Sequence, residues 1–179
     1  MSKYIYLMFV FILLLSCKKK TEENSVQFLD EKEISSAMVE INRSIVKRNR
    51  NHIINFVKRT GWEMTESETG IWFGILKFGN GKKVIEGDHL QYEYVIRLID
   101  GSYPENNEEN LLNNITIGKG GVESGLEKGL LLMSEGDSAR IIVPPYLGHG
   151  NFGDGKNIPP GAILIFDVRV LNIDRSQSE

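Results

Sequence analysis

The apolar residues of this chain follow three successive rhythms, each predicting a different kind of element. Tyr4 to Leu15 is an unbroken apolar run of twelve residues behind Met1-Ser-Lys3. From Leu29 to Lys58 the spacing turns helical: Ile34, Met38, Ile41 and Ile45 recur at four, three and four residues, one stripe of a helix. Ile53, Phe56 and Val57 resume the stripe after a polar interval, Lys47-Arg48-Asn49-Arg50-Asn51, which leaves open one helix or two. Thr60-Gly61 is the stop, since glycine suits the left-handed position after a helix end.

After Trp62 the period falls to two. Ile71 to Phe78 reads as a strand ending at the Gly79-Asn80-Gly81 turn, and Gly87-Asp88 opens a cleaner one. There Leu90, Tyr92, Tyr94, Ile96 and Leu98 share one face, while His89, Gln91, Glu93 and Arg97 share the other, with Val95 and Ile99 as exceptions. Such alternation puts one face on a core and one toward water, an antiparallel habit. Asp100-Gly101 closes the strand, and Tyr103 to Asn110 is an acidic loop. Ile115 and Ile117 suggest a short strand, Ser138 to Val143 another, and Ala162 to Ile173 a long terminal one. One helix interrupts them: Ser124-Gly-Leu-Glu127 has the capping-box pattern, and Leu126, Leu130 and Met133 then project from one face. The fold class is α+β, an antiparallel sheet curled around one short helix, with a helical extension before it.

The first rhythm is too short to span a bilayer, which takes roughly 20 apolar residues, so residues 1–16 read as a secretory signal. Its end, Leu14-Leu15-Ser16-Cys17, resembles the lipobox of bacterial lipoproteins. That resemblance implies that Cys17 becomes the first mature residue and carries lipid; the alternative is an ordinary cleaved signal that contains a cysteine. Cys17 is the single cysteine, so an acylated chain has no disulfide and no thiol nucleophile. Residues 17–28 have the polar, mixed-charge composition of a tether. The formal net charge of −3 becomes −4 once Lys3 leaves with the signal, and nothing suggests nucleic acid. Between Asn42 and Thr60 there are six basic residues and no acid. That face is either solvated, turned toward an anionic membrane, or part of a helix pairing with a second copy in a homodimer.

Most familiar chemistry fails on spacing. Gly148-His-Gly-Asn-Phe-Gly153 matches the dinucleotide pattern, but Asp154-Gly-Lys-Asn-Ile-Pro-Pro follows where a helix is needed. His52, His89 and His149 are far apart and lack zinc-ligand spacing, so no metal is expected. Ser124 has no histidine nearby in sequence, and Glu108-Glu109 lies in a polar loop.

What survives is a series of apolar and glycine-rich pieces: Tyr92-Glu-Tyr94, Leu98-Ile-Asp-Gly101, Val122-Glu-Ser-Gly-Leu126-Glu-Lys-Gly129, Gly136-Asp-Ser-Ala-Arg140, Val143-Pro-Pro145, Gly148-His-Gly150, Ile158-Pro-Pro-Gly-Ala162 and Phe166-Asp-Val168. In this order they resemble an FKBP-type peptidyl-prolyl cis/trans isomerase domain, placed at residues 62–175 behind a helical extension at 29–61. With the lipobox, the chain is similar to the gliding-motility-associated isomerase lipoproteins. The resemblance implies a catalytic set of Tyr94, Phe166, Ile158 and His149, with Val122, Glu123 (through its backbone N–H) and Leu126 binding substrate. It implies no cofactor. Three positions depart from the most active pattern: Leu126 replaces a tryptophan at the pocket floor, His149 a tyrosine in the flap, and Asn113 a pocket phenylalanine. An expected aspartate after Asp100-Gly101 is missing in clear register, and Glu105 is the nearest acid.

The residues support that chemistry on their own terms. Rotating an X–Pro bond crosses a barrier of roughly 18–20 kcal/mol set by amide resonance. The twisted amide has a less polar carbonyl, so an apolar, water-poor pocket favours it over the planar, better-hydrated form without any general base. The expected function is a lipid-anchored isomerase of the cell envelope, facing the periplasm and acting on proline-containing exported polypeptides. The alternative is a catalytically weak binding module for a cell-envelope machine.

Overall fold

In the computed structural model, which describes residues 30–104 and 111–175, the helical stripe becomes one unbroken helix, α1 (Glu31–Thr60). The polar interval does not divide it. Residues 47–51 contain neither glycine nor proline, so the backbone ladder continues while the side chains face outward. Arg50, from that interval, closes a fork on Glu66, with Nε–Oε1 at 2.7 Å and Nη2–Oε2 at 2.6 Å. Gly61 ends the helix at φ +68°, its N–H donating to the Val57 carbonyl at 3.0 Å. No helix among the described residues is long and apolar enough to cross a membrane. Cys17, the signal, the tether and Glu105 lie outside the described residues. From Val39 onward the chain forms one compact unit; residues 30–38 fall in a separate one.

Among the described residues six strands follow, β1 (Thr65–Glu66), β2 (Trp72–Lys77), β3 (His89–Leu98), β4 (Leu111–Thr116), β5 (Ser138–Val143) and β6 (Leu164–Asp174), with one helix, α2 (Ser124–Leu130), between β4 and β5. They form one antiparallel sheet in the order β1-β2-β5-β6-β3-β4. The alternating residues behave as expected on the inner face: Leu90, Tyr92, Ile96 and Leu98 are buried with Ile141, Val143, Leu164 and Phe166 against Leu126, Leu130 and Met133. The outer face departs from expectation. Ile142, Ile163 and Ile165 are buried there too, under Ile53, Phe56 and Val57 of α1 together with Trp62, Met64, Trp72 and Ile99. An outer row of isoleucines needs a cover, and the second half of α1 supplies it; Ile99, an exception to the alternation, belongs to this second core. Over it, Arg140 lies 3.7 Å from the Trp62 ring centroid and bonds Asp167 at 2.6 Å.

The capping-box expectation at α2 is corrected. Glu123 is the N-cap, at φ −57° and ψ 134°, and no side chain caps the helix. The helix starts one residue earlier than the pattern requires, which leaves Ser124 and Glu127 to other partners. Ser124 Oγ donates to the Leu147 carbonyl at 3.2 Å, and Glu127 Oε1 accepts from the Gly118 N–H at 2.7 Å.

The open end of the sheet is tied by an ion pair. Arg175 donates from Nε to Asp88 Oδ1 at 2.6 Å and from Nη2 to the Lys83 carbonyl at 2.7 Å, while Asp88 Oδ2 accepts from the Ile85 N–H at 2.9 Å. Asp88 is buried, and the Arg175 bond holds its carboxyl below the usual carboxylate range against the opposing effect of burial. A depressed folded-state pKa stabilises the fold fully above the unfolded value, near pH 4, and the gain is lost as pH falls through the folded value. Asp88→Asn is therefore expected to cost about 2–3 kcal/mol at pH 7. Urea titrations of both proteins should show that difference shrinking below about pH 4.

Candidate active site

Strands β3 and β6 bring three aromatic rings to the apolar cluster that α2 packs into. Phe166 of β6 and Tyr94 of β3 have ring centroids 6.0 Å apart, tilted by 50°, and Tyr92 stacks on Tyr94 at 5.7 Å. Leu126 of α2 and Ile158, from the loop before β6, join Phe166 in the same apolar cluster, with Tyr94 and Val122 packed against it. Phe166 and Leu126 are buried to 0% and 1% exposure and Ile158 to 8%, while Tyr94 and Val122 stay half-buried. The five apolar and aromatic residues singled out in the sequence thus lie in one contiguous cluster, its edge made by Tyr94 and Val122. A separate hollow of about 310 Å³ at the β3–β4 edge, lined by Leu90 and Ile115 as well as His89, Gln91, Asn114 and Thr116, shares none of them.

Two glycines one helical turn apart decide how close α2 comes. A Cβ on Gly125 would strike the Val143 side chain, and one on Gly129 would strike that of Ile141. Without them the helix would stand off β5, and Leu126 and Leu130 would not reach the floor of the cluster. Ser124 and Glu127, the two side chains released from capping, fasten the same helix to the loops on either side.

The remaining wall is the segment from Pro144 to Ile163. A single turn of 3₁₀ helix, Pro145–Leu147, leads to His149, whose Nε2 lies 2.9 Å from Glu123 Oε1. Beyond it Asp154 organises the loop, an assignment that the sequence reading missed. Its Oδ1 accepts from the N–H groups of Lys156, Asn157 and Ile158 at 2.9, 2.9 and 2.8 Å, and its own N–H donates to the Ile158 carbonyl at 3.1 Å. Gly153, at φ +69°, leaves that carbonyl the space a side chain would occupy. An aspartate followed by glycine and polar residues is a signature of this kind of turn, so the signal was present in Asp154-Gly-Lys-Asn. The bonds from Ile158 and Lys156 hold the Asp154 carboxyl below its ordinary range.

Tyr92 and Asn113 are a second pair missed as a unit. They face each other across β3 and β4 in register. The Tyr92 hydroxyl is buried without a well-formed hydrogen bond, although the Asn113 side chain stands beside it. Burial, and next the neighbouring Tyr94 and Glu123, push this phenol far above its usual range. Burial and Glu123 likewise raise the Tyr94 phenol, so its hydroxyl is a neutral donor throughout the physiological range. The arrangement offers an apolar floor with the neutral Tyr94 hydroxyl at its edge. Among the described residues no group of three or more histidine, cysteine or carboxylate side chains is placed to hold a metal.

The Asp154 contacts generate a test. In Asp154→Ala the amide protons of Lys156, Asn157 and Ile158 are expected to exchange about tenfold faster than in the parent. Asp154→Asn, whose amide oxygen still accepts, keeps most of the protection. Because this carboxyl is depressed, the parent's protection is complete above about pH 4 and falls below it.

Comparison with known proteins is consistent with this geometry. A family profile described as FKBP-type peptidyl-prolyl cis-trans isomerase matches residues 80–171. The chain is 41% identical over 87 residues to the peptidyl-prolyl cis-trans isomerase FKBP9 of Bos taurus, which spans 48% of this chain and 15% of that protein. It is 28% identical over 158 residues to the probable FKBP-type isomerase FkpA of Neisseria meningitidis, covering 87% of this chain and 57% of the relative. The chain therefore spans only part of the length of these relatives. Among solved structures, a peptidyl-prolyl cis-trans isomerase from Pseudomonas syringae superposes with a TM-score of 0.61 at 23% identity, over 74% of this chain and 96% of that one. FkpA from Escherichia coli gives 0.60 at 22% identity, over 97% and 81%. The fold is theirs, and with more than half of its sequence inside the family profile the chain belongs to the FKBP-type peptidyl-prolyl cis-trans isomerases.

Proposed function

We propose that this protein catalyses cis/trans isomerisation of X–Pro bonds in exported polypeptides while anchored to a membrane of the cell envelope through lipid on Cys17, its domain facing the periplasm. The observation that carries the catalytic part is the apolar cluster in which Leu126, Ile158 and Phe166 are buried and against which Tyr94 packs. A proline ring seated on Phe166, Ile158 and Leu126 leaves water behind. The adjoining amide then loses less by twisting than it would in solution, because its planar form is the better hydrated one. The Tyr94 hydroxyl and the Glu123 N–H would hold the substrate backbone in place during rotation. A 10⁶-fold acceleration would need roughly 8 kcal/mol, with no proton transferred.

The anchored part is supported by the sequence Leu14-Leu15-Ser16-Cys17 after an apolar run. On that feature and the helical extension we assign the chain to the gliding-motility-associated isomerase lipoproteins. A site near the export machinery suits a catalyst of a step that takes tens to hundreds of seconds unaided. Pairing of two copies through α1 belongs to the same reading, since Val39, Ile41 and Val46 are exposed on it.

A second reading is favoured by Leu126 and Asn113, which stand where the family often has large aromatic rings. On it, the pocket binds a proline-bearing partner and accelerates little. Refolding of a proline-limited substrate separates the two. The isomerase reading expects catalytic amounts of the purified chain to accelerate the slow phase, and Phe166→Ala, with its far-ultraviolet spectrum intact, to lose at least about tenfold in kcat/KM. No acceleration by the parent would favour the binding module. For the anchor, Cys17→Ser is expected to abolish fatty-acid labelling and move the protein from the membrane to the soluble fraction.

A further inference from the structure

We propose that the carboxylate of Glu123 is a positioning residue: it holds the His149 imidazole, and with it the flap, at the mouth of the proline pocket. The inference rests on the isomerase reading of that pocket and adds to it a role for a side chain of which only the backbone N–H was assigned.

Glu123 is anchored where it begins. As the N-cap of α2 its carbonyl accepts from the Glu127 N–H at 3.1 Å, which fixes its backbone to the helix. An acidic N-cap side chain would ordinarily turn back to the exposed N–H groups of the first turn. Here it makes no capping bond and reaches across to His149 Nε2 at 2.9 Å, twenty-six residues away in sequence. The two side chains are 18% and 29% exposed, so the contact is shielded from water far better than an ordinary surface pair. Ser124, the next residue, ties to the carbonyl of Leu147 in the same segment. The start of α2 therefore grips the flap at two points, on either side of Gly148.

The same carboxylate acts on the pocket's tyrosines, since its charge helps push the Tyr92 and Tyr94 phenols upward. Glu123 thus bonds the flap imidazole and also acts electrostatically on the ring that borders the cluster. His149 in turn acts on the Asp154 carboxyl, across the flap. An imidazole that donates its Nε2–H to a carboxylate has its tautomer and ring plane fixed, leaving Nδ1 as its free acceptor. Ordering that ring before substrate arrives removes an entropy cost that an untethered side chain would meet at the transition state.

The test measures kcat/KM for proline-limited refolding in the parent, Glu123→Ala, Glu123→Gln, His149→Ala and the Glu123→Ala/His149→Ala double variant, with ¹⁵N spectra of the His149 ring. All keep the Glu123 backbone N–H. Expected is a loss of about fivefold in Glu123→Ala, chiefly in kcat, with most of it restored in Glu123→Gln, whose amide oxygen still accepts. Glu123→Ala should add no further loss to His149→Ala, since it acts through that ring. The parent spectrum should show an Nε2-protonated ring, and Glu123→Ala an averaged one. An active parent indifferent to Glu123→Ala, additive losses in the double variant, or an Nδ1-protonated parent ring would each overturn the role alone. A parent without any acceleration overturns the isomerase reading and this role with it.

Discussion

The whole site depends on how closely one seven-residue helix, α2, lies against β5. That approach is steric before it is energetic: Gly125 and Gly129 remove the two side chains that would meet Val143 and Ile141. Once the helix is down, Leu126 and Leu130 bury completely and the inner face closes over Phe166. A helix this short has little stability of its own, since isolated helices under about 12–15 residues are marginal. It persists because its apolar face is packed and because Ser124 and Glu127 fasten it to neighbouring loops.

Charge in this protein is used mainly to hold backbone rather than to carry out chemistry. Asp154 gathers three N–H groups to seat Ile158, Asp88 joins Arg175 to the turn before β3, and Asp137 accepts from the N–H groups of Gly79 and Ser134, both at 2.6 Å. Each is a short carboxylate pinning a tight turn, which suits a sheet whose connections must hold their shape around the packed cluster. The cost of burying the two most enclosed, Asp88 and Asp137, is offset by these charge-assisted bonds. Amide rotation transfers no proton, so carboxylates in this fold are free to serve as structural ties.

The inner core was legible in the sequence because period two allows only one arrangement: Leu90, Tyr92, Ile96 and Leu98 had to share a face. The apolar part of the site was legible for a similar reason, as Leu126, Ile158 and Phe166 are large residues embedded in glycine and proline punctuation. Three features were not. The capping box at Ser124 had the right residues, yet the first helical bond runs from Glu127 N–H to the Glu123 carbonyl, and one residue of offset gives the pattern another use. The continuity of α1 was hidden by a polar interval, since polarity says which side meets water and nothing about where a ladder breaks. The outer core required knowing that Ile142, Ile163 and Ile165 line up across β5, β6 and the residue before it, a register no single segment displays.

The same distinction bears on whether the pocket is a catalyst or a receptor. An apolar floor of Leu126, Ile158 and Phe166 stabilises a proline ring equally well whether its amide is planar or twisted, and uniform binding of that kind does not raise a rate. Beyond the loss of water that favours the twisted amide, discrimination between the two states comes from groups that address the amide itself, for which the candidates are the Tyr94 hydroxyl, the Glu123 N–H and the ring of His149. The short tie between Glu123 and His149 joins two of these residues, so if the proposed isomerisation holds, its rate depends on that tie as well as on the buried residues that first draw attention to the site.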